Sequence, residues 1–220
     1  MKKLKVLSII GILICYSLFA QNDPKAKVIL DKMSAKYKNM NSFRAEFKYT
    51  LTSNTNKKTD TFEGVITVKK NKYRIKIGHQ EIFNNNKTVW TYLEDAKEVS
   101  ITNFEPDPND PLQTPTQIFE IYQKGFKYLY LGERVIDGVA YDVVDLAPEN
   151  PKQSKVKFFK IQLLIDKRDN SLKSWEMFEN QNINRYSFSV KKLVPNVNVD
   201  DNYFVFDTKA YPAVEVVDLR

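Results

Sequence analysis

Hydrophobic and polar residues alternate along most of the chain after residue 42, and this period of two limits the possible fold more than any other feature. Phe43, Ala45, Phe47, Tyr49 and Leu51 alternate with charged or hydroxyl residues, which predicts a half-buried antiparallel strand. Similar segments follow at 62–68, 73–77, 81–83, 88–93, 98–102, 128–135, 140–146, 158–165, 172–179, 184–193 and 203–206. Short polar turns separate most of them, so neighbouring strands are expected to pair in order.

Two segments of helical periodicity accompany the strands. One helix is capped by Asn22 or Asp23 and started by Pro24, and its apolar face consists of Ala26, Ile29, Leu30, Met33, Tyr37 and Met40. A capping box formed by Thr114 and Gln117 predicts a second, short helix from Pro115 to Lys124. The pattern predicts an α+β, mainly β fold, a curved antiparallel sheet of about ten or eleven strands with helices on one face. Such a sheet tends to curl and to enclose a space against its helices.

The first 20 residues have the pattern of a secretory signal peptide. Lys2, Lys3 and Lys5 precede an apolar run of 14 residues, and Ala20 lies at a plausible cleavage site. The run is shorter than the roughly 20 residues of a membrane-spanning helix. We expect cleavage after Ala20, export to the periplasm, a mature domain of residues 21–220, and loss of Cys15. An uncleaved anchor and a lipid attached to Cys15 are the alternatives.

The positive charge of the chain is concentrated at one hairpin. Removal of the three signal lysines lowers the net charge from +7 to +4, and Lys69, Lys70 and Lys72 then stand out beside Tyr73. Such a patch could bind nucleic acid, protect a strand edge, or dock on an acidic partner or anionic lipid head groups. Because exported proteins rarely meet nucleic acid, we expect no nucleic-acid partner.

Residues for covalent chemistry are scarce. His79 is the only histidine, so neither a triad with a histidine base nor a two-histidine metal site can be assembled. Glu105, Asp107, Asn109 and Asp110 offer oxygen ligands for a cation such as calcium, but the prolines between them fit a rigid surface loop, which we expect. Carboxylates that converge from distant segments remain a possible acid pair. The sequence otherwise predicts no enzyme, no cofactor and no metal site.

Aromatic residues are abundant, with 14 Phe, 12 Tyr and 2 Trp. Many of them alternate along strands on what should be the concave face, where aromatic rings provide a wide apolar surface. The same pattern is expected for a packed core and for a ligand cavity. The two differ only in whether side chains fill the space.

Several segments, taken in order, resemble the periplasmic outer-membrane lipoprotein carrier family of LolA-like proteins. The matching segments are NSFRAEFKYTLTS, FEGVITVKKNKYRIKI, NNNKTVWTYLEDAKEVSI, TPTQIFEIY, YDVVDLAPEN, IQLLIDKRDNSLKSWEMFE and FVFDTKAYPAVEVVD. The resemblance covers nearly all of residues 25–218. It implies a half-open β-barrel with two or three helices as lid or plug, whose apolar cavity holds the acyl chains of lipoproteins crossing to the outer membrane.

The resemblance also implies a set of site residues. The acyl-chain cavity would be lined by Phe47, Tyr49, Phe62, Ile66, Tyr73, Ile75, Trp90, Tyr92, Ile118, Phe119 and Tyr122. A family arginine tied to lid closure falls at or near Lys70, and Lys69, Lys70 and Lys72 would serve the lid or docking. Position 70 departs from the family pattern, because lysine lacks the planar fork of donors that arginine would offer a latch.

The partners implied are acylated lipoproteins and an inner-membrane lipoprotein-release complex, with an unknown outer-membrane acceptor, and a monomer is expected. A lipid- or lipoprotein-sensing regulatory module, or a carrier of another amphiphile on the same fold, is the alternative function.

Overall fold

The computed structural model describes residues 22–107, 110–150 and 157–220, so the predicted signal segment with Cys15 lies outside it. Within these ranges the elements are α1 (Pro24–Lys38), β1 (Ser42–Ser53), β2 (Thr59–Lys69), β3 (Lys72–Ile77), β4 (Gln80–Asn84), β5 (Thr88–Leu93), β6 (Glu98–Asn103), β7 (Phe126–Ile136), β8 (Val139–Pro148), β9 (Phe158–Asp166), β10 (Leu172–Glu179), β11 (Asn184–Pro195) and β12 (Glu215–Asp218). Short 3₁₀ turns lie at Pro115–Phe119, Ile121–Gln123, Asn180–Asn182, Asp201–Phe204 and Thr208–Ala210. The predicted mainly β fold is confirmed.

The twelve strands form one open sheet in the order β12-β6-β5-β4-β3-β2-β1-β11-β10-β9-β8-β7. Neighbours are antiparallel, as predicted, with one exception: β12 pairs with β6 in parallel. β1 lies near the centre because it pairs with β2 on one side and β11 on the other. The strand count exceeds the expected ten or eleven by one or two.

Helix α1 begins where the sequence predicts and is attached to the β7 edge of the sheet. The Asp23 carboxylate accepts hydrogen bonds from the N–H groups of Lys25 and Ala26 at 2.8 and 3.3 Å. Its second oxygen accepts from the Tyr130 N–H on β7 at 3.0 Å. The hydrogen bond from the Tyr130 N–H has the largest effect among the interactions that lower the pKa of Asp23. The helix cap therefore also satisfies part of an otherwise unpaired strand edge.

The two faces of the sheet are covered by different segments. The inner face, on which α1 lies, carries the larger apolar cluster, with Leu30 and Met33 of the helix fully buried. The outer face carries a smaller cluster of Phe83, Val99 and Phe206. The segment that follows β11 supplies Phe206, so this segment covers the outer face.

Two predicted elements are corrected. The expected helix from Pro115 to Lys124 is a pair of 3₁₀ turns. Gln117 does reach back to accept the Thr114 N–H at 2.6 Å, but the backbone of Glu120 leaves the helical region at φ −125° and ψ −1°. A 3₁₀ turn stacks residues three apart, which suits the buried pair Ile118 and Ile121.

The predicted strand at 203–206 is also wrong. Residues Asp201–Phe204 form a 3₁₀ turn, and the last strand is instead Glu215–Asp218. Phe204 and Phe206 are buried while Val205 is 36% exposed. This alternation arises because the segment lies against the outer face, and it does not require a strand ladder.

Candidate functional site

An apolar cavity of about 450 Å³ lies between the inner face of the sheet and the segment around the Pro115–Phe119 turn. Its walls come from α1, β1, β2, β3, β4, β10 and β11, and its roof from Leu112, Pro115, Ile118 and Phe119. Gln113 and Thr114 are the only lining side chains that are neither aliphatic nor aromatic among those described. The space is therefore suited to a hydrocarbon ligand.

Seven of the predicted cavity residues line this space. They are Phe47, Tyr49, Ile66, Tyr73, Ile75, Ile118 and Phe119. Burial raises the pKa of Tyr49 and of Tyr73, and the pKa of Tyr37, which also lines the cavity, rises to about 12. Tyrosine hydroxyls are uncharged at neutral pH in any case, and burial holds these three further from ionisation.

Two further predicted residues lie on the inner side without lining the cavity. Phe62 pairs with Tyr49 across the strands and its ring lies 6.2 Å from that of Tyr49, but Phe62 is 43% exposed. Tyr122 is buried behind the roof, where its hydroxyl donates to Asp31 Oδ1 at 2.7 Å. Tyr122 thus joins the roof segment to α1.

The expected position of Trp90 and Tyr92 in the cavity is corrected. Ile75 of the cavity pairs with Ile82, which pairs with Thr91. Thr91 therefore shares the inner face, and its neighbours Trp90 and Tyr92 point to the outer face. There they pack against the cluster of Phe83, Val99 and Phe206.

Sequence reasoning missed the wall formed by β10 and β11. Trp175 and Met177 of β10 and Phe188 and Val190 of β11 line the cavity. The Trp175 and Phe188 rings are stacked at 4.8 Å, and Phe188 lies 4.7 Å from Tyr49. The signal was present, since both strands alternate with a period of two, but nothing in that alternation shows which face turns inward.

Gly64 makes room for the Phe47 ring at the cavity wall. Gly64 on β2 pairs with Phe47 on β1, and a Cβ atom at Gly64 would lie 2.5 Å from Phe47 Cζ and 2.8 Å from the Lys76 carbonyl oxygen. The β1–β11 register also shifts between Glu46 and Phe47. A register shift of this kind is a β-bulge, which bends a strand locally.

A second space, of about 550 Å³, adjoins the apolar cavity, and we call it the vestibule. Tyr37, Phe43 and Phe119 line both spaces and form an aromatic partition between them. Tyr37 stacks on Phe119 at 3.6 Å, and Phe43 meets both rings edge-on at 5.9 and 6.2 Å. Gln113 and Thr114 also border both spaces.

The three lysines of the predicted basic patch have different surroundings. Lys69 and Lys72 both contact Asp201, at 3.1 and 2.7 Å, and Lys69 also donates to the Val199 carbonyl oxygen at 2.8 Å. Hydrogen bonds from Lys72 and Lys69 lower the pKa of Asp201. These two lysines attach the segment after β11, whereas Lys70 is exposed and lines the vestibule.

Arg74 and Glu81 form a partly buried ion pair on the outer face. Arg74 Nε donates to Glu81 Oε1 at 2.8 Å, and the Tyr211 hydroxyl donates to Glu81 Oε2 at 2.8 Å. The guanidinium lies over the rings of Phe83 and Tyr203, at 4.4 and 4.7 Å. Burial, followed by the bond to Glu81, raises the pKa of Tyr211 to about 12. This cluster holds the C-terminal segment on the sheet.

Among the residues considered for metal binding, His79, Glu105 and Asp110 are exposed and Asp107 is half-buried. His79 is 73% exposed, with Nδ1 3.3 Å from Asp95 Oδ1. In the Glu105–Asp110 loop, Asn109 lies outside the described residues, and Gln113 bridges the loop by accepting from Asp107 N–H and donating to the Glu105 carbonyl. Within the described ranges, no cluster of three His, Cys, Asp or Glu side chains could hold a metal ion. No helix in the same ranges is long and apolar enough to cross a membrane.

The fold and the cavity define a class of protein, an open half-barrel with an apolar pocket on its inner face. Residues 16–181 match the model of the outer membrane lipoprotein carrier protein LolA family, and the chain belongs to this family. This result confirms the resemblance seen in the sequence. Among curated proteins, none matches the chain.

Solved structures share the fold at low sequence identity. An uncharacterised conserved protein from Thermus thermophilus has a TM-score of 0.56 at 12% identity, covering 88% of this chain and 99% of that chain. The lipoprotein LppX from Mycobacterium tuberculosis has a TM-score of 0.51 at 14% identity, covering 81% of this chain and 100% of that chain. These likenesses describe the fold alone.

Proposed function

We propose that this protein is a periplasmic carrier that binds the acyl chains of lipoproteins in its apolar cavity and delivers them towards the outer membrane. The observation that carries the proposal is the open cavity of about 450 Å³ with almost entirely apolar walls. Membership of the lipoprotein carrier family supports it. An inner-membrane release complex is the expected donor, and no covalent chemistry is required.

The energetics of acyl transfer suit such a cavity. Burying an acyl chain is worth about 0.8 kcal/mol per CH₂ group, so a carrier must offer comparable burial in water. Aromatic and branched walls provide this burial without polar contacts that would hold the ligand too firmly. The roof is a short segment of 3₁₀ turns, and its displacement would admit and release the chain.

Binding can be tested with the protein's own fluorescence. The chain has two tryptophans, and a Trp90→Phe variant keeps only Trp175, which lines the cavity. A dipalmitoylated lipopeptide should change Trp175 emission in a saturable manner and displace a bound apolar dye. The same peptide without its acyl groups is the control. Absence of both signals with the acylated peptide would exclude acyl binding.

Transport requires a separate experiment. Purified protein should extract a radiolabelled lipoprotein from inner-membrane vesicles that contain the release machinery, and depletion in the cell should leave lipoproteins in the inner membrane. Binding without extraction, and depletion that alters gene regulation only, would instead favour the sensing module. A cavity-filling variant, Ile75→Trp, should reduce extraction, while the exposed Val135→Trp should not.

A further inference from the structure

A pocket on the outer face of the sheet has no part in the proposed function, and we call it the outer pocket. It has a volume of about 460 Å³ and lies between strands β1 to β5 and the segment after β11, which contributes Tyr203 and Tyr211. The sheet separates it from the apolar cavity, which lies on the inner face. We propose that the outer pocket binds a small ring-bearing anion, whose carboxylate or phosphate group lies among Arg44, Arg74 and Lys76.

The register of the central strands places these three cations on one face. Arg44 on β1 is opposite Thr67 on β2, and Thr67 is opposite Arg74 on β3. Adjacent strands lie about 4.8 Å apart, so the Arg44 and Arg74 backbones are about 10 Å apart. Lys76 is two residues further along β3 and shares the face of Arg74, whereas Ile75, between them, lines the inner cavity. Long side chains at these positions can converge on one oxyanion.

Arg44 and Lys76 supply positive charge that no carboxylate neutralises. Both side chains are exposed and line the pocket, and neither has an ion-pair partner among the described residues. Glu94 also lines the pocket, but it is 55% exposed and its Oε2 atom is 3.9 Å from Nδ1 of His79. With Arg74 and Glu81 included, three cations against two carboxylates leave one positive charge in excess. A single negative charge on a ligand would balance it.

Arg74 is held in place and still has donors to offer. Its Nε donates to Glu81 Oε1 at 2.8 Å, and its Nη2 lies 3.5 Å from the Tyr211 oxygen. The rings of Phe83 and Tyr203 lie against the guanidinium. Nη1 has no hydrogen-bond partner among the described residues. Because the planar group is already restrained, little conformational freedom is lost when its remaining donors bind a carboxylate or phosphate.

The rest of the pocket wall is largely aromatic. Tyr92, Tyr203 and Tyr211 line it, and the ring of Tyr211 is 4.7 Å from that of Tyr92 and 4.4 Å from that of Phe206. Aromatic side chains favour contact with another ring. The volume also falls within the usual range for small-molecule sites, roughly 300–1,000 Å³. The outer pocket therefore suits an anionic group attached to a ring better than a bare inorganic ion.

Calorimetric titration tests the ligand class. Benzoate and phenyl phosphate are the probes, and benzamide is the uncharged analogue of benzoate. At least one of the two acids should bind at millimolar concentration, and the tighter of them identifies the anionic group that the site prefers. Benzamide should bind about threefold to fivefold more weakly than benzoate or not at all, as expected for the loss of one exposed ion pair. Binding of neither acid, or equal binding of benzamide and benzoate, would overturn the proposal.

Substitutions test the cations. Arg44→Gln and Lys76→Gln should each weaken binding of the preferred acid about threefold to fivefold. Lys48→Gln is the matched control, because Lys48 is exposed on the same face of β1 and lies outside the pocket lining. An equal loss in Lys48→Gln would show a general attraction to a basic surface and would overturn the site.

Protection from proteolysis locates the ligand. Because Tyr203 and Tyr211 line the pocket, a bound acid should stabilise the segment after β11 and slow cleavage between residues 200 and 214. The Arg44→Gln/Lys76→Gln double variant should show little slowing at the same concentration of acid. Slowing of equal size in the double variant would overturn the placement of the ligand in the outer pocket.

The outer pocket and the apolar cavity lie on opposite faces, so the two proposals fail separately. Saturation of the inner cavity with the dipalmitoylated lipopeptide should leave the affinity for the acid unchanged. Displacement of the acid by the lipopeptide would overturn the outer site. If the lipopeptide itself does not bind, acyl carriage is excluded, and the titrations with the acids still decide on the outer pocket.

Discussion

The rings of Tyr37 and Phe119 lie face to face, with centroids 3.6 Å apart and planes inclined by 8°. Tyr37 is in the last turn of α1, and its oxygen accepts a hydrogen bond from the Leu172 N–H on β10 at 3.1 Å. Phe119 ends the first 3₁₀ turn of the cavity roof. One stacked pair therefore connects the helix, the roof and the sheet.

Phe119→Ala should loosen the roof. The variant loses the stacking on Tyr37 and the edge contact with Phe43, so we expect a stability loss of about 1–3 kcal/mol and faster release of a bound apolar dye. Urea unfolding and stopped-flow dye release measure the two effects. Phe159→Ala is the control, because Phe159 is 43% exposed. Equal dye release rates in the two variants would contradict a role for the stack.

Glu81→Gln should free the C-terminal segment. The substitution removes the charge that faces Arg74 and weakens the acceptor of the Tyr211 hydroxyl. Removing one partner of a partly buried pair leaves the other uncompensated, and we expect a loss of about 2 kcal/mol or more. Limited proteolysis should then cut between residues 200 and 214 more rapidly. Glu94→Gln, at an exposed carboxylate, should leave the cleavage rate unaltered.

Asp169 should contribute stability that disappears in acid. Burial opposes its ionisation, but hydrogen bonds from Lys36 and Ser171 outweigh burial and lower its pKa from 3.8 to about 2. A lowered pKa stabilises the fold above the unfolded value and loses that effect as the pH falls from about 4 to 2.

Asp169→Asn should therefore be less stable than wild type at pH 7, by up to about 1 kcal/mol for this pair, and the difference should shrink between pH 4 and pH 2 and vanish below pH 2. Thermal unfolding across this pH range is the measurement. Asp137→Asn in an exposed turn is the control. A difference that persists unchanged at pH 2 would show that the ion pair to Lys36 is not its source.

Gly64→Ala should reduce both stability and ligand capacity. The new methyl group would meet the Phe47 ring and the Lys76 carbonyl, and overpacking of this kind costs about 1–3 kcal/mol. The displaced ring would enter the cavity and weaken binding of long acyl chains. Phe47→Leu in the same background should restore part of the affinity. Gly64→Ala protein that binds a palmitoyl ligand as tightly as wild type would rule out this close contact.

The local elements of the fold were predictable from the sequence. Asp23, Pro24 and the spacing of the buried helix residues define α1 through interactions within a few positions. The alternating segments correspond to β1, β2 and β3, because a half-buried strand has apolar side chains at every second position. Information of this kind is contained in a short window of residues.

The assignment of residues to the cavity depended on information outside such a window. Trp90 and Thr91 occupy adjacent positions, and the register from Ile75 through Ile82 decides which of them faces inward. On β5 the outer face is also covered, because Phe206 and Tyr211 pack against Tyr92. Aromatic residues on β5 therefore belong to the outer cluster. The face of the sheet on which Trp175 of β10 lies could be assigned only once its partner strand was known.

The parallel pairing of β12 with β6 has a consequence for the order in which the chain is completed. Glu215 pairs with Glu98 and Val216 with Val99, so this edge of β6 stays unpaired until Glu215–Asp218 have been synthesised. An unpaired edge with alternating apolar side chains is a site for association between unfinished molecules. The four-residue strand β12 thus covers the β6 edge only after the other strands have been synthesised. A chain stopped before Glu215 should aggregate even though its cavity residues are all present.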